Sequence, residues 1–421
     1  MTEAAPGPPA SASPLRSRAF AALMAYRLFT ILSYQIVAVT VGWHVYELTR
    51  DPWKLGLVGL AEVVPFFAVA PFAGYLVDHL PKRRLGIVAC LGLAVTPALL
   101  LAISQDWLFG HASVKHAQVW MIYASIVFTG AVRSFLGPVY NTLFARALPR
   151  DQFTRGASIG AVVFQAALVL GPAIGGVLIG VAGKSTAYAT GIGVALAAAG
   201  ALFALRVSEP PLAQTRSPIF ASIREGLRFV FSQQVMLGAM ALDMFSVLLG
   251  GAVSMLPAFI KDVLHAGPDA LGFLRAAPAL GSVCIALWLS RHPLERNAGR
   301  ILLLAVAGFG ICTIAFALSR HLLLSFAILL AYGVCDGISV VMRSTILQLV
   351  TPDHMRGRVS SINSIFISSS NELGAFYDGV MARMFGLIHA VVIGGCVTLG
   401  VVGVTAWRAP KLRRLDLRDL H

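Results

Sequence analysis

Long apolar runs broken by short polar turns fill the chain from residue 19 to residue 408. A membrane crossing takes about 20 apolar residues. On that measure the pattern predicts twelve helical spans, at 19–48, 54–80, 84–104, 118–147, 155–182, 185–206, 235–260, 268–290, 299–318, 321–350, 358–385 and 388–408. Gly183-Lys184 alone separates the fifth run from the sixth, and the turn at 385–388 is equally tight. The longest polar break, Val207 to Gln234, divides the spans six and six. Inside it Ser217-Pro218 opens a further helix, because Pro suits a first turn. Its Ile219, Phe220, Ile223, Leu227, Val230 and Phe231 share one face, opposite Arg224, Glu225 and Arg228. That is the pattern of an amphipathic helix lying on a membrane surface.

The expected organisation follows. Residues 1–18, rich in Pro, Ala and Ser, form a disordered tail, and 19–206 a first six-helix bundle. Residues 207–234 form the linker, 235–410 the second bundle and 411–421 a basic tail. The apolar run after Arg16 and Arg18 is too long for a signal-peptide core and stays as the first span.

Composition sharpens this into an all-α membrane protein. Only 12% of residues are charged and 57% are hydrophobic, against about 25% charged in soluble domains. The net charge of +14 invites a nucleic-acid reading, but the bases sit in short clusters between apolar runs. Of the 33 Lys and Arg, 22 fall in even-numbered turns and the termini and six in odd-numbered turns. Such asymmetry puts both termini in the cytoplasm and demands an even number of spans. Cys90, Cys284, Cys312, Cys335 and Cys396 lie inside apolar segments without metal-ligand spacing. They read as buried inert thiols, and neither a metal nor a cofactor is expected.

One turn carries unusual chemistry. Gly74-Tyr75-Leu76-Val77-Asp78-His79-Leu80-Pro81-Lys82-Arg83-Arg84 places an acid and three consecutive bases where two spans reverse. An Asp at a span's end is costly unless a base or a helix N-terminus neutralises it. A Gly there lets a second helix approach closely. The stretch resembles the conserved loop between spans 2 and 3 of the major facilitator superfamily, with Pro81 replacing its second Gly and His79 its Arg. The halves also echo each other: Pro149-Arg150-Asp151 and Pro352-Asp353-His354 precede spans 5 and 11, and Leu55-Gly56 and Leu271-Gly272 open spans 2 and 8. Two six-span pseudo-repeats with a site between them are a transporter architecture. Trp43-His44-Val45-Tyr46-Glu47-Leu48-Thr49 and the run Gln348 to Val359 are similar to bacterial efflux members grouped with the enterobactin exporter.

In that family spans 1, 4, 7 and 10 line a central cavity. Here those spans carry Arg27, Arg133, Asp243, Asp336 and Arg343. Charges at membrane depth face a polar cavity or each other. Arg133 and Asp336 lie near mid-span, so pairing with each other or binding substrate across the cavity are both open. Asp336 and Arg343 are two helical turns apart on one face. Arg133-Ser134-Phe135-Leu136-Gly137 resembles the span 4 motif of proton-coupled members, in which the Arg holds down the pKa of a nearby acid. Glu62, Glu372, Asp243 and Asp336 are the acids available for a proton. A structural ion pair locking helices is the competing reading, and Asp378 and Arg383 read as structural.

Gly171-Pro172-Ala173-Ile174-Gly175-Gly176 in span 5 resembles the antiporter motif of the superfamily, with Ala167 in place of its first Gly. Small residues there imply close packing on the other half, and Pro172 a kink. The resemblance further implies a gate in which Asp78 docks near span 11, beside Arg356 and Arg358, with Gly74, Lys82, Arg83 and Arg84 completing the motif.

The resulting expectation is a monomeric secondary transporter in a bacterial inner membrane, exporting a small organic molecule in exchange for protons. Import on the same fold is the alternative, and a non-transporting receptor or scaffold a further one. The sequence holds no P-loop for ATP and no clustered His, Ser or metal-ligand set for a membrane enzyme. Nucleic acid is not expected as a partner; lipid, protons and a small molecule are.

Overall fold

The computed structural model describes residues 17–105, 107, 115–149, 152–207, 219–251, 253–292, 296–352 and 356–416. A few side chains within those ranges, among them Asp78, Arg356 and Arg358, fall outside the described residues. The described chain is helical: α1 (Arg18–Thr49), α2 (Pro52–His79), α3 (Lys82–Ser104), α4 (Lys115–Ala147), α5 (Phe153–Ala204), α6 (Ile219–Ser232) and α7 (Gln234–Gly250) come first. Then follow α8 (Leu256–Asp262), α9 (Asp269–Arg291), α10 (Ala298–Leu318), α11 (Leu322–Val350), α12 (Arg356–Phe385), α13 (Leu387–Arg408) and α14 (Pro410–Arg413). Among the described residues ten helical stretches are long and apolar enough to cross a membrane. The protein is therefore an all-α, multi-pass membrane protein.

Local chemistry sets the ends. Ser17 caps α1 by accepting from the Phe20 amide at 3.3 Å, and Arg50 closes it in the left-handed region at φ 51°. Asp51 then caps α2, accepting from the Trp53 amide at 3.0 Å, with Pro52 in the first turn. The 52-residue α5 would be about 78 Å long if straight, more than twice a hydrocarbon core of about 30 Å. Its backbone leaves helical dihedrals at Gly183 (φ 81°, ψ 167°), which lacks the Cβ that makes such angles costly. Gly386 (φ 82°) likewise separates α12 from α13.

The two ends of the bundle are packed differently. One end carries the basic turns, and the other carries the turns at Arg50 and Lys261. At the latter end the two halves share cores: Ile36, Trp43 and Ile179 with Leu256, Phe259 and Leu271, and Tyr46 and Leu55 with Met255 and Ala382. Towards the basic end, Phe20, Val77, Val139 and Leu202 cluster within the first half. Leu242, Leu302 and Ile346, and Met236 with Val359, cluster within the second. Polar contacts repeat the asymmetry. Asp262 accepts from Tyr46 and lies 3.6 Å from Arg50; Lys261 sits 4.5 Å above the Trp43 ring; Arg383 reaches to 4.0 Å from Asp51.

Glycines make the crossings between halves possible. A Cβ on Gly176 in α5 would overlap the backbone of Gly272 in α9, and one on Gly56 in α2 would sit 2.9 Å from the Cα of Gly379 in α12. Helices without side chains at the crossing approach backbone to backbone. The linker helix α6 packs against α12. Val230 is buried there, but Phe231, expected on the same face, is 60% exposed. The thiols also differ from expectation: only Cys90 is buried, while Cys284 and Cys396 are exposed. An apolar run is not a buried run in a membrane protein, because lipid-facing positions are equally apolar.

Gly176→Val should destabilise the purified protein by about 1–3 kcal/mol through overpacking, read as a lowered Tm in detergent. Gly74→Val, where a Cβ would meet nothing within 4 Å, should leave Tm nearly unchanged, within about 0.5 kcal/mol.

Candidate functional site

Two helices of the first half and one of the second bring charge to a single point at mid-depth. Arg133 projects from α4, Glu62 from α2 and Glu372 from α12. The Arg133 guanidinium pairs with Glu62 and lies 3.4 Å from the Glu372 carboxylate. Tyr34 of α1 completes the group: its ring lies under the guanidinium, 3.7 Å from the ring centroid. Its hydroxyl is within donating distance of both carboxylates, 3.3 Å from Glu62 and 3.2 Å from Glu372. Glu62 is 4% exposed. Enclosing a carboxylate this far is costly unless a cation pairs with it.

The backbone is shaped for this meeting. A Cβ on Gly59, one turn before Glu62, would sit 2.5 Å from the carbonyl oxygen of Glu372. A Cβ on Gly130, one turn before Arg133, would overlap the Glu62 carbonyl. So α2 approaches α12, and α4 approaches α2, closely enough for the side chains to meet. Beside Glu62 lies a cavity of about 20 Å³, lined in part by Thr96 and Thr129, whose hydroxyls are 2.8 Å apart. Such a volume holds about one water.

The remaining charges are arranged differently from the sequence expectation. Arg133 does not pair with Asp336; it is committed to the two glutamates. Asp336 does not share its helix face with a free Arg343 either, because Arg343 reaches across to α7 and pairs with Asp243. Both members are buried, at 6% and 9% exposure. The contact is one of charge rather than an aligned hydrogen bond, since Arg343 Nη1 finds no acceptor in bonding geometry. Asp336 lines a small cavity with Asp243, Ser246 and Ser339 and has no basic partner among the described residues. Arg27 lies over the Tyr140 ring at 3.9 Å, with Phe164 at 5.1 Å. Asp378 accepts from the Ser254 hydroxyl at 2.6 Å.

The motif residues divide as well. Among the described residues nothing lies within 4 Å of where a Cβ on Gly74 would be. Arg83 donates from Nε to the Leu202 carbonyl at 2.9 Å and from Nη2 to Phe203. It therefore caps the end of α5, where terminal carbonyls attract a cation. Lys82 is buried and Arg84 exposed; Asp78, Arg356 and Arg358 lie outside the described residues. Of the span 5 motif, Gly176 contacts the other half, whereas Gly171 and Gly175 pack on Gln35 and Ile36 of α1, within the same half. Backbone dihedrals stay helical at Pro172, and the break in α5 comes at Gly183.

Residues 19–375 match the family described as the Major Facilitator Superfamily. The chain belongs to that superfamily. Among its relatives, the multidrug efflux pump Tap of Mycobacterium tuberculosis is 25% identical over 392 residues, covering 90% of each chain. The enterobactin exporter EntS of Escherichia coli is 24% identical over 397 residues, covering 91% of this chain and 90% of that one. In fold, the chain is similar to a bacterial homologue of the human lysosomal transporter Spinster in an inward-facing conformation. The TM-score is 0.70 at 15% identity, over 97% of this chain and 99% of that one. It is also similar to a D-xylose–proton symporter, with TM-score 0.72 at 11% identity, over 94% and 99%. As a member of the Major Facilitator Superfamily, the protein is a secondary transporter of small molecules working by alternating access, not an enzyme.

For this superfamily member, sequence reasoning missed Tyr34, which touches all three charged groups of the mid-depth cluster. A Tyr within an apolar run resembles any other core aromatic, and nothing in the local sequence ties it to Glu62 or Glu372.

The Asp243–Arg343 pair is confined to the second half, which gives a direct test. Arg343→Met alone should cost about 3–5 kcal/mol by leaving Asp243 buried and unpaired. The double variant with Asp243→Leu should recover most of that loss. Tm of the single and double variants in detergent checks this.

Proposed function

We propose that the protein exports a small organic molecule across a bacterial inner membrane in exchange for protons, with Glu62 and Glu372 as the proton-carrying pair. The observation that carries this reading is Arg133 held between carboxylates from opposite halves. In the charged state, Arg133 and Tyr34 tie α12 to α2 and α4. A proton on Glu372 removes its attraction for Arg133 and loosens the tie, so the halves are free to rock. Charge-assisted bonds of this kind are worth about 1.5–3 kcal/mol each, enough to shift a two-state equilibrium about tenfold or more.

The scaffold would have twelve spans in two six-helix repeats. The ten apolar stretches become twelve when α5 is divided at Gly183 and α12 is added. The excess of bases in the even turns and termini supports cytoplasmic ends. The conformation is then closed outside and parted inside, with the basic turns at the end where an inner gate would form. The names of the relatives, a multidrug pump and a siderophore exporter, favour export over import, and function as a monomer fits the single-chain site.

Proteoliposomes with an internal pH reporter, challenged with lipophilic drugs and catecholates, test the proposal. Wild type should move protons when solute is added. Glu62→Gln, Glu372→Gln and Arg133→Ala should each slow this at least about tenfold, the loss of about 1.4 kcal/mol of coupling. Solute flux without a pH change would remove the proton from the mechanism. The sign of the change separates exchange from co-transport, and flux unaltered in all three variants would take this cluster out of the pathway.

A further inference from the structure

Arg275 belongs to none of the groups described so far. It sits in α9, one turn deeper than the Gly176–Gly272 crossing, with Leu271, Leu274 and Ala277 of the same helix buried in the core shared by the halves. Its Nε is fully enclosed and has no hydrogen-bond partner, and no carboxylate pairs with it among the described residues. Tyr34 and Tyr332 lie within electrostatic reach of it. Tyr34 is the residue that also carries Arg133 and touches Glu372. Arg275 thus lies within electrostatic reach of a residue of the mid-depth cluster, one turn from the crossing between the halves.

A guanidinium remains charged at any physiological pH and presents a planar fork of donors suited to carboxylate or phosphate. Enclosing one without an anion is strongly unfavourable. Two other arginines at membrane depth have acids beside them, Arg133 with two glutamates and Arg343 with Asp243, and Arg27 lies over an aromatic ring. Charged groups at membrane depth mark pathways, so the missing counter-charge is best supplied by what passes through.

We propose that Arg275 anchors an anionic group of the transported molecule, so that the substrates include amphiphilic organic anions with a carboxylate, sulfonate or phosphate beside an apolar body. The apolar wall of α9 would receive that body. This rests on the reading of the cleft as the transport pathway, but not on proton exchange.

Two fluorescent probes with the same rings separate charge from hydrophobicity: 1-anilinonaphthalene-8-sulfonate and its uncharged parent N-phenyl-1-naphthylamine. Titrated into the purified full-length protein, the sulfonate should bind more tightly than the parent to wild type. Arg275→Gln should weaken the sulfonate at least about tenfold, the value of one charge-assisted bond, while leaving the parent within about twofold. Arg275→Lys should recover part of the loss. The Tm of Arg275→Gln should equal or exceed that of wild type, because an uncompensated buried cation is removed. Equal affinity of wild type for the two probes, or no measurable sulfonate binding, overturns the assignment. So does equal loss of both probes in Arg275→Gln together with a lowered Tm, the result of a structural role. The assay needs no gradient, so failure of proton exchange leaves it standing and failure here leaves proton exchange standing.

Discussion

A cation enclosed at mid-membrane depth must be answered by negative charge, and the position of Arg133 is where that requirement shapes this molecule. Two carboxylates and a tyrosine converge on it from three other helices. To bring them together, α2 must pass α4 and α12 with glycine at the closest points. The glycines at 59 and 130 thus have no separate purpose from the ion cluster: they set the helix separations at which short acidic side chains reach the guanidinium. The packing of the first half and its seam with the second follow from the same meeting point.

The seam itself is one-sided. Aromatic and aliphatic side chains from both halves interlock at one end, and ionic contacts at the turns reinforce it. Towards the basic end each half keeps its own core. This is one member of a pair of conformations that an alternating-access transporter needs. Because packed cores are bistable rather than continuously deformable, opening the sealed end means separating whole clusters such as Trp43 from Phe259, while the core around Val139 stays intact.

Much of the fold was legible because membrane helices announce themselves by length and apolarity. Gly183 and Gly386 marked tight turns in sequence and are the positions where the backbone leaves helical geometry. Pairings were not legible. Whether Arg343 meets Asp336 on its own helix or Asp243 on another depends on helix rotation and separation, which no local pattern records. Motif membership misled at Arg83, whose place beside three bases says nothing of the Leu202 carbonyl it caps. Arg275 carried a signal that went unused: it lies in an apolar run with no acid within one helical turn on either side.

Two ion clusters of similar chemistry therefore stand in unequal positions. Asp243 and Arg343 belong to helices of one half, so a rigid rocking of the halves leaves their distance unchanged. Glu372 and Arg133 belong to different halves, so the same rocking must stretch or break their contact. Under the proposed mechanism only the second would respond to a proton, because only there does the contact depend on which way the transporter faces. The first is a lock within a moving body. The difference lies in which half each helix belongs to, not in the residues themselves, and it is the reason the proposed coupling is put at Glu372 rather than at Asp243.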